Sequence, residues 1–419
     1  MADTVYVDGA TLLTADTMND LNRLHYTILG DPANVEAVKT SLGLTIGTDV
    51  QAYDADIPTV AASQGEMEAG TETALRSMSP LRIAQAIAAL GTGKENPIIN
   101  GAFSINQRAA ATNADDTYAH DRWNVLTQTG TVALSTLTDV EDTTPFMARL
   151  TQSQASAQRM GYSQIIEGKN CKHLRGQQVT FRFGRERLSS SANIRIAVLE
   201  WTGTEDAVTS DVVLDWTSGT YTAGNFFLAA NLTVSAVVQQ ALTANTLTDG
   251  SAVTVTLGSS FNNLIVFVWT EGTAAQNVTL DLGKAQLEKA ASASAFVVPD
   301  YAVELARCHR YLPAINPGAT TVDICMGQCV GTAAARSIYP FKVTPRVPPT
   351  GVTVSSAGHF AMLNSGGAPQ TCASVTLARS SYDAAMLSTD PSSGLVTGDA
   401  SILSTINASA RILFTGCEL

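Results

Sequence analysis

Three rings and one guanidinium between residues 195 and 221 form the set best suited to hold a ligand. Trp201, Trp216 and Tyr221 offer faces that could stack on a pyranose ring, and Arg195 could donate to its hydroxyls. Trp201 shares strand parity with Arg195, opposite Ile194, Ile196 and Val198. That parity predicts an exposed ring, with packing against a neighbouring domain as the alternative. Trp269 closes the run Asn263 to Trp269, which reads as a strand buried on both faces, and so belongs to the core. A second set is basic: Lys172, Arg175, Arg185 and Arg187 stand out of a stretch running from Lys169 to Arg187. They could meet phosphate or acidic sugar, and a solvated strand face is the plain alternative.

Other chemistry finds little support. There is no GxSxG, HExxH or P-loop. The five histidines include His120 and His173, but neither has a nucleophile in a recognisable setting. Asp139, Glu141 and Asp142 could serve a glycosidase as acid and base, and they also read as ordinary turn residues. Glu200, Glu205, Asp206, Asp211 and Asp215 lie in a segment without Lys or Arg. A structural Ca²⁺ is conceivable there, although the spacing matches no calcium motif; no other metal and no cofactor is expected. Cys325 and Cys329 share a strand face but lack the partners of a zinc site. The six scattered cysteines read as small buried apolar residues rather than a disulfide framework.

The elements that must position these groups divide the 419 residues into four. Residues 1–30 hold a short alternating piece, a turn at Asp8-Gly9, and a narrow helical stripe of Met18, Leu21, Leu24 and Ile28. Residues 31–95 carry short helices. The last opens at Ser79-Pro80 and aligns Ile83, Ile87 and Leu90, a stripe suited to a seam between subunits. Residues 96–300 alternate with period two, as in Val179-Phe181-Phe183 and Val278-Leu280-Leu282, with turn clusters between. Residues 301–419 begin with an amphipathic turn, YAVELARCHRY, and continue as strands and Pro/Gly loops. The expected fold is mainly β: short N-terminal helices, an antiparallel β-sandwich of jelly-roll type, and a smaller C-terminal β domain.

Formal net charge is −12, which disfavours a nucleic-acid binder. No run of 18 apolar residues is present, and the first residues lack the basic and apolar regions of a secretory signal.

Three stretches then share a resemblance. Asn96 to Trp123, NPIINGAFSINQRAAATNADDTYAHDRW, resembles the opening of carbohydrate-binding-module-like jelly rolls. Leu282 to Phe296, LGKAQLEKAASASAF, resembles their closing strand. ELARCHRY, Glu304 to Tyr311, resembles the segment that follows such a domain in bacteriophage tail fibres. Upstream, DGATLLTADTMNDLN and the stretch Ala52 to Ile87 are similar to the attachment piece and linker of those fibres. The resemblance covers most of residues 1–312. It implies a virion tail fibre or receptor-binding tail protein, assembled in the host cytoplasm as a homotrimer. Residues 1–30 would attach to tail or baseplate proteins, 31–95 would form the trimer stalk, and 96–300 the jelly roll. Residues 301–419 would be the tip that meets a surface glycan or outer-membrane receptor, without catalysis. A purely structural tail component and a polysaccharide-cleaving tailspike are the alternatives.

Overall fold

Alternation with period two governs the chain after residue 96, and strands are what form there. The computed structural model describes residues 6–8, 11–13, 63, 80, 83, 96–109, 111–138, 146–366 and 368–419. The chain falls into two units, Met1–Gly93 and Lys94–Leu419. In the first, β1 (Tyr6–Asp8) pairs antiparallel with β2 (Thr11–Leu13). Pro80 and Ile83 are helical, and Ile83 is exposed. The helix expected at Met18 to Ile28, and Ile87 and Leu90 of the expected seam, lie outside the described residues.

In the second unit, residues 96–300 form two six-stranded sheets. One runs in the order β11 (Leu232–Leu242), β10 (Ala192–Trp201), β13 (Asn263–Thr270), β8 (Met160–Ile166), β5 (Asn124–Thr127), β4 (Thr117–Tyr118). The other runs β12 (Val253–Thr256), β9 (Gln178–Leu188), β14 (Thr279–Glu288), β7 (Phe146–Gln152), β6 (Val132–Thr138), β3 (Thr112–Asn113). Every pairing between these strands is antiparallel. Alternate residues of both sheets meet in one core, Ile194, Ile196 and Val198 facing Val179, Phe181 and Phe183 among others. This is a β-sandwich.

β13 is apolar throughout because both of its faces are covered. Leu264, Val266 and Val268 enter the inter-sheet core. Ile265, Phe267 and Trp269 point the other way, into a second cluster. Gly161 permits that arrangement, since a Cβ there would lie 2.7 Å from the Phe267 ring and 2.5 Å from the Val268 carbonyl.

Residues 301–419 open with α2 (Tyr301–His309), which follows α1 (Gly168–Cys171) in chain order. Asp300 caps α2, accepting from the N–H groups of Ala302 (2.9 Å) and Val303 (3.1 Å). Three strands follow as one sheet: β15 (Ala314–Ile315), β24 (Ile412–Thr415) and β18 (Gly351–Val354). Seven form another, in the order β20 (Gln370–Thr371), β19 (Phe360–Leu363), β23 (Ala400–Thr405), β16 (Asp323–Gly331), β17 (Ala334–Pro340), β22 (Ala384–Asp390), β21 (Ser374–Ser380). Cys325, Cys329, Phe360, Leu387 and Leu403 pack there against Ile412 and Phe414. All six cysteines are buried free thiols, and burial pushes Cys325 and Cys372 up to about 12.

One carboxylate is out of place in the sandwich. Glu186 lies on β9 in line with Leu282 of β14, fully buried, and neither oxygen has a hydrogen-bond partner. Burial pushes its pKa up to about 8, so it is held neutral. Unfolded, it would ionise near its ordinary value. Stability is therefore unaffected below about pH 4 and falls as pH rises from about 4.5 to 8, by at most roughly 5 kcal/mol. Glu186→Gln should match the wild type in melting temperature at pH 4 and exceed it at pH 8. An equal difference at both pH values in calorimetry would refute this account of Glu186.

Candidate ligand-binding cleft

The expected sugar-stacking face is not open. Trp201 does lie on the outer face of β10, as its parity requires, but it is only 8 % exposed. Residues 202–231 fold back over the sheet and bring Val212, Val213, Phe226 and Phe227 onto it. Trp269 stacks on Phe267 with centroids 4.7 Å apart, and Phe226 stacks on Trp269 at 5.0 Å. The indole N–H of Trp201 donates to the Thr204 carbonyl at 2.9 Å. The apolar reward of sealing the sheet outweighs exposure of the ring. Trp216 and Tyr221 are half-buried at the rim of the same cluster. Arg195 lies over the Tyr221 ring, 4.4 Å from its centroid, and its Nε donates to Glu271 at 3.0 Å. These residues are brought together, but as a packed patch rather than a groove.

The basic candidates are also engaged. Lys172 pairs with Glu205 at 2.5 Å, Arg185 with Asp249, and Arg187 with Asp281 at 2.8 Å. The guanidinium of Arg175 donates to the Phe261 carbonyl at 2.7 Å and to Asn262 at 3.0 Å. The acidic segment is likewise dispersed. Glu200 accepts from Ser235, and Asp206 accepts from Asn263 and from the N–H of Gly168. Asp139, Glu141 and Asp142 lie outside the described residues. His120 is buried between the Tyr162 hydroxyl (2.7 Å) and Thr136 (2.9 Å), and burial lowers its pKa to about 4. Arg122, which the sequence suggests as one half of a structural ion pair, forms none among the described residues. It lies 3.8 Å over the Tyr311 ring and donates to the Ile165 carbonyl at 2.5 Å.

The concave site is elsewhere. A cleft of about 750 Å³ opens where the arm Phe103 to Gln107 meets α2 and the start of β16, within the usual range of roughly 300–1,000 Å³ for small-molecule sites. Its walls carry two tyrosines, Tyr301 and Tyr339, the amides of Asn106 and Asn316, and His309, Asp323 and Lys342. Tyr301 is 60 % exposed, so its ring is available. Tyr339 is anchored by stacking on Phe414 at 5.6 Å.

The walls are set by a buried polar clasp. Asn100, at φ 58°, turns the chain. Its side-chain amide donates to the Ile105 carbonyl at 2.7 Å and its carbonyl oxygen accepts from the Ile105 N–H at 3.1 Å. The Glu304 carboxylate of α2 accepts from the Asn100 N–H and from Arg307 at 2.9 Å. Gln107 spans Asp121 (2.6 Å) and the Leu312 carbonyl (3.1 Å). No residue of the cleft was singled out as a ligand contact in the sequence, because its walls come from widely separated stretches.

No family model matches the sequence, and no curated protein matches it. Solved structures are similar to part of it. One is the enzymatically active domain of bacteriophage CBA120 tailspike protein 4, at 10 % identity and TM-score 0.28, covering 46 % of this chain and 21 % of that one. The matched part thus spans about a fifth of the length of that domain's chain. Another is TmCBM61 in complex with β-1,4-galactotriose, at 9 % identity and TM-score 0.27, covering 47 % and 99 %. A third is the CBM22-1 xylan-binding domain of Paenibacillus barcinonensis Xyn10C, at 9 % identity and TM-score 0.25, covering 48 % and 99 %.

Trp201 is a packing residue on this geometry. Trp201→Ala should cost about 3 kcal/mol in denaturant unfolding. A loss under 1 kcal/mol would mean that the 202–231 cover does not seal the sheet.

Proposed function

We propose that this chain is a tail-fibre subunit of a virion that recognises a host-surface glycan, and that the glycan lies in the cleft beside α2. The cleft carries this reading. It joins an exposed ring, Tyr301, to several hydrogen-bonding side chains in a space of saccharide size. An apolar face with a few converging polar groups suits a ring that is greasy on one side and hydroxylated at its edge. The order of the resembling stretches supplies the virion setting: attachment piece, linker, sandwich, then ELARCHRY.

The role proposed is binding without catalysis. Among the described lining residues Asp323 is the one carboxylate, whereas glycoside hydrolysis ordinarily employs a pair. In this reading the subunit is a homotrimer joined along the Ile83, Ile87 and Leu90 stripe. Its N-terminal segment contacts tail proteins, and threefold avidity strengthens a weak single site.

Two measurements test the proposal. Light scattering on the full chain should give three times the chain mass, and a monomer at micromolar concentration would contradict the fibre reading. On a glycan array followed by calorimetry, Tyr301→Ala should weaken binding about tenfold with an unchanged melting temperature. Unaltered affinity in that variant would remove the cleft as the binding site.

A further inference from the structure

The charged groups of the cleft narrow the class of sugar. His309 and Lys342 both line it. The His309 Nδ1 accepts from the Ala314 N–H at 3.3 Å, which leaves the other ring nitrogen, Nε2, as a donor. Lys342 is exposed, and it acts electrostatically on His309. The neighbouring guanidinium groups are committed elsewhere. Arg307 is held by Glu304 (2.9 Å), Arg310 by Glu167 (2.6 Å), and Arg346 by the carbonyls of Cys417 (2.8 Å) and Glu418 (2.6 Å). Asp323, on the β16 side of the cleft, accepts from Ser404 at 2.5 Å. Among the described lining residues the cleft thus offers one ammonium and one imidazole to an anion, and no guanidinium fork of the kind that favours phosphate.

We propose that the cleft takes an acidic sugar, a uronic or sialic residue, with its carboxylate between Lys342 and His309. This rests on the glycan reading given above. Burial, and then Lys342, lower the basicity of His309. His309 therefore acts as the neutral imidazole, its Nδ1 accepting from Ala314 and its Nε2–H donating to the carboxylate, while Lys342 supplies the charge. The other charged groups near His309 are engaged with partners of their own. Glu304 and Arg307 of its own helix neutralise each other, Arg310 faces Glu167, and Asp323 is held by Ser404.

Calorimetry on the full chain tests this with galacturonate, glucuronate and sialyl oligosaccharides, their neutral counterparts, and galactose phosphate. The acidic sugars should bind about tenfold more tightly than the neutral ones. Lys342→Met should abolish that preference with an unchanged melting temperature. Equal binding of acidic and neutral sugars would overturn the acidic assignment alone, and so would tighter binding of the sugar phosphate. Binding of none would overturn the glycan reading with it.

Discussion

The buried meeting of Asn100 with Glu304 is the interaction on which the rest of the structure depends. Asn100 is fully buried in a left-handed turn, and its polar atoms are all satisfied. Glu304 takes its N–H, Ile105 takes both ends of its amide, and its carbonyl accepts from the Trp123 indole at 3.1 Å. An unsatisfied carboxylate or amide at this depth would be strongly destabilising, so each partner requires the other. The same turn ties the closing strand to the opening segment of the sandwich. Ala285 donates to the Gly101 carbonyl at 2.9 Å, and Asn96 bridges the Ala285 carbonyl and the Leu287 N–H. A Cβ on Gly101 would approach the Ala285 oxygen to 2.2 Å, so that glycine is set by close packing.

The three stretches that carry the sequence resemblance therefore converge on one place. Their first role is to hold the sandwich closed and to seat α2 on it. The cleft follows from this, because the arm leaving Asn100 forms one wall and the helix bearing Glu304 forms another. The proposed site lies at this junction and not on the sheet face. The sheet face is closed by residues 202–231, whose own aromatics would have no other burial.

Much of the fold was legible in the sequence for a physical reason. Where alternation is carried by large apolar residues, as in Val179 to Phe183 or Ile194 to Val198, the strands stand where the period puts them. The uniform run of β13 signalled burial on both faces. Strands built from Ala, Ser and Thr, such as Ala384–Asp390 and Ala400–Thr405, gave no such contrast, since those side chains are small on either face. The candidate site was read less well. Parity correctly placed Trp201 opposite Ile196, but parity states which face a ring takes and not what later covers that face. The cleft depends on residues 200 positions apart, and pattern within a window does not report such contacts.

The most direct test of the central claim is hydrogen exchange of the backbone amides of Asn100, Ile105 and α2, compared with those of β13. If the clasp makes the arm and helix part of the sandwich, these amides should exchange as slowly as those of β13 and in the same cooperative opening. Fast exchange in α2 and the arm while β13 remains protected would contradict it. The cleft would then be a loose junction rather than a built site.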